Sequence, residues 1–94
     1  MATYLLFGKY SNDALSKISA ARTKSANLIL GDCGGVLKEA YALLGETDLV
    51  LVVEFPSTEK AMKASVSLAK QLGIAFKTEP ALSVEEFDKL IAGK

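Results

Sequence analysis

A single α+β domain, two helices laid against a four-stranded antiparallel sheet, is the fold this sequence predicts. Three observations predict it. The run Leu49-Val50-Leu51-Val52-Val53 is apolar at every position, which suits a central strand covered on both faces. Residues 3–9 are a second such strand, with Tyr4, Leu6 and Gly8 on one face and Leu5 and Phe7 on the other. Two helical periodicities separate the strand-like segments, so the order reads β-α-β-β-α-β with a short helix at the C-terminus.

Each element has its own local reason. After the first strand, Ser11 or Asn12 supplies an N-cap, and Leu15, Ile18, Arg22, Ala26 and Ile29 form the apolar stripe of a helix running to about Leu30. Gly31 and the pair Gly34-Gly35 end that helix. A hairpin follows. Its first strand alternates imperfectly, Leu37, Glu39, Tyr41 and Leu43 facing one way and Val36, Lys38, Ala40 and Ala42 the other, which suits a sheet edge. Gly45-Glu46-Thr47-Asp48 makes the turn and Pro56 stops the third strand. Ser57 caps a second helix over residues 58–72, with Ala61, Met62, Ser65, Leu68, Ala69 and Leu72 on its inner face and Gly73 as its end. The fourth strand, residues 74–78, carries Lys77 and stops at Pro80, as an edge strand does. Ser83-Val84-Glu85-Glu86 is a capping box with Leu82 and Phe87 at staple spacing, opening a short helix whose sticky face holds Val84, Phe87, Leu90 and Ile91.

Two right-handed crossovers around one hairpin give a split βαβ, or ferredoxin-like, sheet of spatial order 4-1-3-2, which places the two doubly apolar strands at its centre. Two helices cover one face of such a sheet. The other face is then an apolar patch, and a second copy packed sheet to sheet in a closed two-fold dimer is the economical cover.

Composition narrows function. The 94 residues, half of them hydrophobic, make one domain spanning residues 1–94. Eleven basic residues balance eleven acidic ones, so no excess positive field recommends a nucleic acid or an anionic membrane as partner. No apolar run is long enough to span a bilayer. The single Cys33 forms no internal disulfide, which fits the cytoplasm. With no histidine and one cysteine, neither a zinc site nor a histidine base is expected, and no metal or cofactor is implied.

Five residues are candidates for holding a ligand. Arg22 is a cation within an apolar stripe; it either anchors an anion or pairs internally with Glu54 or Asp48, or snorkels at the helix edge. Asp48 serves as a base at a pocket mouth or bonds the backbone amides of its turn. Tyr4, Tyr10 and Tyr41 offer hydroxyls to a pocket or pack in the core. Cys33 lies beyond a helix C-terminus, where a thiolate is disfavoured. Gly31-Asp32-Cys33-Gly34-Gly35 lacks the strand, the helix and the Gly-Lys-Ser/Thr ending of a phosphate loop.

Several short pieces occur together: Thr3-Tyr4-Leu5, Ala21-Arg22, Gly34-Gly35, Leu44-Gly45, Gly45-Glu46-Thr47-Asp48, Glu54-Phe55-Pro56 and Ser83-Val84-Glu85-Glu86-Phe87. In this order and spacing, over about residues 3–91, the chain resembles the GYD domain family of small bacterial and archaeal proteins. Of the Gly-x-Tyr-Asp turn that names the family, Gly45 and Asp48 match and Thr47 stands in place of the tyrosine. The resemblance implies a ferredoxin-like fold of the dimeric α/β-barrel kind and no particular reaction.

Two functions are compatible with these residues. The first is a non-enzymatic homo-oligomeric module that binds a small, anionic ligand or a protein partner. The second is a metal-free enzyme of the monooxygenase or isomerase kind, with Arg22 as anchor, a tyrosine as donor and Asp48 as base. They differ in whether these side chains converge on one open cavity.

Overall fold

A computed structural model describes residues 1–93. The elements are β1 (Ala2–Tyr10), α1 (Asn12–Leu15), α2 (Ala20–Asp32), β2 (Val36–Ala42), β3 (Leu49–Phe55), α3 (Thr58–Leu72), β4 (Ile74–Ala81) and α4 (Val84–Ile91). The sheet order is β2-β3-β1-β4, which read from the β4 edge is 4-1-3-2, and every neighbouring pair is antiparallel. The architecture is α+β and ferredoxin-like.

The core lies between the sheet and the two long helices. Tyr4 and Leu6 of β1, with Leu51, Val53 and Phe55 of β3, meet Ile29 and Leu30 of α2 and Ala61, Ala64 and Leu68 of α3. Alternation puts Leu5, Phe7, Val50 and Val52 on the opposite, open face, where each is half-buried.

The first helix differs from the expected continuous one. Ser11 caps a single turn, accepting from the Ala14 amide at 3.0 Å. Residues 16–19 then break the helix, and Ser19 caps α2 by accepting from the Arg22 amide at 3.3 Å. Serine side chains that bond the backbone locally offer an alternative to continued helix, and Ser16, donating to the Asp13 carbonyl at 2.8 Å, and Ser19, three residues on, take it here. Leu15 and Ile18, expected on the buried stripe, are accordingly exposed. α2 runs past Gly31 to a Schellman end: Gly35 N–H donates to the Leu30 carbonyl at 2.8 Å and Gly34 N–H to that of Gly31 at 2.9 Å. Gly34 takes the left-handed φ of 75° that this closure requires.

The edge strand β2 carries a bulge at Lys38, between the pairs Leu37–Val53 and Glu39–Val52. The extra residue separates Leu37 from Glu39 and Tyr41. Leu37, Ala40 and Ala42 share the helix-side face with Val53, Leu51 and Leu49, while Glu39 and Tyr41 lie on the open face. This corrects the simple alternation expected for the strand. β4 also continues through Pro80 to Ala81, opposite Tyr4 and Thr3 of β1, since proline is tolerated on an edge. On α3 the buried residues are Ala61, Ala64 and Leu68, whereas Met62 and Ala69 are exposed, so the inner face is rotated slightly from the expected one. Gly73, with φ 70°, ends that helix as expected.

Candidate functional site

A cavity of about 170 Å³ opens between α2 and the helix-side face of the sheet, at the end where β1 finishes and β3 begins. Its floor is apolar sheet: Leu37 and Ala40 of β2, Leu49 and Leu51 of β3, and Phe76 of β4. The roof is α2, which contributes Arg22, Thr23, Ala26 and Asn27 along one side, and Ile18 closes in from the broken segment before it. Phe76 reaches its place because Gly8, its partner across β1 and β4, has no side chain; a Cβ on Gly8 would lie 2.6 Å from the Phe76 ring.

Among the described residues, Arg22 is the only ionised side chain lining this cavity. Its guanidinium donates to the Ala14 carbonyl at 2.6 Å, in the last turn of α1, and to the Leu72 carbonyl at the end of α3. Both acceptors are carbonyls at helix ends, where cations are stabilised, and the planar fork of arginine suits reaching two at once. Of the readings open for Arg22, the ion pair with Glu54 or Asp48 is not made; carbonyl contacts hold α1, α2 and α3 together instead. A guanidinium carries five N–H donors, so three remain beyond these two bonds.

The other candidates divide. Tyr10 lines the same cavity as Arg22, and Tyr41 borders it from the edge strand between Ala40 and Ala42 while its position in the pleat is on the open face. The Tyr41 hydroxyl is taken by Glu39, to whose carboxylate it donates, and this bond and the nearby negative charge raise the phenol above its ordinary range. Tyr4 does not reach the cavity: it is buried in the core, edge-on to Phe55 with ring centroids 5.8 Å apart, and its hydroxyl shares a 2.8 Å hydrogen bond with that of Thr58. Asp48 is also elsewhere. Its carboxylate accepts from the Tyr10 backbone amide at 3.0 Å and pairs with Lys9 at 3.6 Å. Its own amide donates to the Gly8 carbonyl at 2.9 Å, so the residue fastens the start of β3 to β1. Cys33 is buried at the end of α2.

Thr23, Asn27 and Phe76 are site residues that sequence reasoning missed. A signal for the first two existed: Thr23 and Asn27 are four apart, beside Arg22 and Ala26, so the polar stripe borders the apolar one. Among the described residues no group of three or more histidine, cysteine or acidic side chains is placed to hold a metal ion, and no helix is long and apolar enough to cross a membrane.

Comparison with known proteins agrees with this geometry at the level of fold. The leucine response regulatory protein of Mycobacterium tuberculosis superposes with a TM-score of 0.57 at 11% identity, over 87% of this chain and 51% of that one. A second structure, of a transcriptional regulator, gives 0.58 at 12% identity, over 88% of this chain and 51% of that one. This chain therefore spans about half the length of either. No curated protein gives a significant match. The GYD domain model matches residues 4–91, nearly the whole sequence, and the chain belongs to the GYD domain family.

Proposed function

We propose that this protein is a homodimeric cytoplasmic binding module whose cleft between α2 and the sheet takes a small carboxylate with a compact aliphatic body. The observation that carries the reading is a cavity with apolar walls and one charged lining group, Arg22, whose guanidinium retains free donors. Its 170 Å³ is close to the roughly 150 Å³ of an engineered apolar cavity that accommodates benzene, so a body of about six carbons is the appropriate size. A regulator that responds to leucine shares the fold, and leucine has such a body. Here, though, no carboxylate among the described residues lines the cavity to meet an amino group, which favours a plain acid over an amino acid.

The catalytic alternative depends on Asp48 as a base. Its carboxylate faces Tyr10 and Lys9 and stands outside the cavity, so the geometry favours binding over turnover. The dimer reading rests on the open sheet face, where Leu5, Phe7, Val50 and Val52 form a contiguous apolar strip.

The test is an amide-resolved NMR titration with 4-methylpentanoate, using 4-methylpentanamide and leucine as comparisons. The acid is expected to bind saturably with a dissociation constant of roughly 0.1–1 mM, the range for so few atoms, and to shift Thr23, Ala26, Asn27 and Phe76. The amide and leucine bind at least tenfold more weakly. Ala40→Leu, which fills the cavity from the exposed edge strand, abolishes the shifts while leaving the unfolding midpoint in place. Equal affinity for acid and amide, or shifts confined to the open face, would overturn the assignment.

A further inference from the structure

The register of the four strands rules the open face of the sheet into rows that run across it, about 7 Å apart. Two rows make up its middle. One reads Glu39, Val52, Leu5 and Glu79 from β2 to β4; the next reads Tyr41, Val50, Phe7 and Lys77. The centre is therefore a square of four apolar residues. An acid stands at either end of one row, and Tyr41 and Lys77 stand at the ends of the other. Glu39, Lys77 and Glu79 are exposed, and neither Lys77 nor Glu79 has an ion-pair partner among the described residues. Lys38 lies in the bulge of β2, outside the rows.

A second copy packed face to face, about 10 Å away, meets this pattern in one of two ways. The two-fold axis lies between the sheets and runs either along the strands or across them. Both ways set apolar on apolar, so charge decides. With the axis along the strands, Val52 meets the partner's Leu5 and β2 faces β4. Glu39 then stands against the partner's Glu79, twice per dimer, and like charges repel. With the axis across the strands, each strand faces its own copy in reverse. Leu5 meets the partner's Phe7, Val52 meets the partner's Val50, and Glu79 meets the partner's Lys77 at both β4 edges. Glu39 meets the partner's Tyr41, a phenol that adds no charge. The turn of about 30° between aligned sheets moves an edge strand, roughly 7 Å from the centre, by about 4 Å, which a lysine side chain spans. The outer rows favour neither axis: Glu54 faces the neutral Thr3 in the first arrangement and the internally paired Lys9 and Asp48 in the second. α4 borders the face outside the two middle rows, where Val84 and Phe87 share a groove with Thr3 and Ala81.

We infer that the two-fold axis of the dimer runs across the strands, so that Glu79 of each copy pairs with the partner's Lys77 beside a self-matched apolar square. This deepens the dimer proposed above and rests on it. Each pair occurs twice about the axis, so the contact is isologous and closes at two copies.

The experiment is charge exchange in the full chain, with the dimer dissociation constant read by sedimentation at low ionic strength. Glu79→Lys and Lys77→Glu are made singly and together. Both side chains are exposed on their own chain, so an unchanged circular dichroism spectrum is expected throughout. Each single change sets like charges against each other twice, and dissociation is expected to rise at least fivefold. The chain carrying both changes exchanges the partners, and its dissociation is expected within twofold of the unmodified protein. Lys63→Glu, on the outer side of α3, makes the same change in net charge as Lys77→Glu and is expected to leave dissociation within twofold. An unmodified chain that is monomeric overturns the dimer and the axis together. A Glu79→Lys dimer that is tighter overturns the axis alone, because the new lysine then faces the partner's Glu39. Single changes without effect, or no larger in effect than Lys63→Glu, also overturn the axis while leaving the dimer.

Discussion

Two glycines of this molecule sit under aromatic rings, and they differ in what surrounds the ring. A Cβ on Gly35 would lie 2.7 Å from Phe55, which is fully buried, and 3.0 Å from the Leu30 carbonyl oxygen, which belongs to backbone. Neither neighbour can yield, so Gly35→Ala is expected to cost about 3 kcal/mol. At Gly8 the obstacle is Phe76, whose ring borders the cavity and has room to swing into it. Gly8→Ala is therefore expected to cost only about 1–2 kcal/mol and to weaken carboxylate binding, because the displaced ring occupies the ligand's place. Urea unfolding gives the first comparison and the same NMR titration gives the second; equal costs for the two glycines would contradict this account. Arg22 joins the ends of α1 and α3, and Arg22→Ala should destabilise by about 2–3 kcal/mol through lost charged hydrogen bonds. Arg22→Lys recovers less than half, since an ammonium lacks the planar fork. Tyr41 reports its own contact by titration. Glu39 stabilises the protonated phenol, so the native pKa lies above its unfolded value. The contribution is complete below the unfolded value near 10 and is lost as pH rises through the higher native one. Glu39→Gln is expected to return the phenolate absorbance midpoint of Tyr41 toward the ordinary tyrosine range.

At the scale of elements, the bulge in β2 decides which residues face the cavity. Lys38 is the surplus residue, so a chain lacking it keeps Leu37, Ala40 and Ala42 on the helix side and Glu39 and Tyr41 on the open side. Deleting Lys38 is expected to cost less than about 1.5 kcal/mol by thermal unfolding. Deleting Ala40 instead turns Glu39 toward Leu51 and sets a carboxylate against the apolar floor of the cavity, which should cost measurably more than the loss of Lys38. If the two deletions are equally harmful, the bulge is placed elsewhere. The elements themselves were legible in the sequence because strand and helix periods differ so clearly: the doubly apolar Leu49–Val53, the capping serines 57 and 83, and Gly73 each act within a few residues. The break between α1 and α2 was less legible, since Leu15 and Ile18 fit the helical period of Arg22, Ala26 and Ile29 and only the serines at 16 and 19 oppose it. The site was half legible. Arg22 stood out as a cation on an apolar stripe, whereas Phe76 joins the cavity through its pairing with Gly8, a contact 68 residues apart in sequence that no local pattern encodes.

Across the whole molecule, two apolar surfaces are left without full cover by a single chain, the face opposite the helices and the apolar side of α4. Helices α2 and α3 occupy one side of the sheet, and none of the described residues of a single chain covers Leu5, Phe7, Val50 and Val52 on the other. Covering them with a second copy couples folding to association, because a partner that binds only folded chains stabilises them by mass action. The thermal midpoint of the full chain should therefore rise with protein concentration. A tenfold increase is worth about 1.4 kcal/mol per dimer, or about half that per chain, which for a domain of this size corresponds to a rise of roughly 3–6 °C. A chain ending at Leu82 keeps the core, since none of the core residues lies in α4. Its unfolding at the lowest concentrations should match that of the full chain. Its midpoint should rise with concentration as steeply as that of the full chain, because the strip that meets the second copy lies in β1 and β3. Differential scanning calorimetry over two decades of concentration compares the two chains: a shallower slope for the shortened one would mean that α4 takes part in the interface, and a flat line for the full chain would mean that the open face stays uncovered.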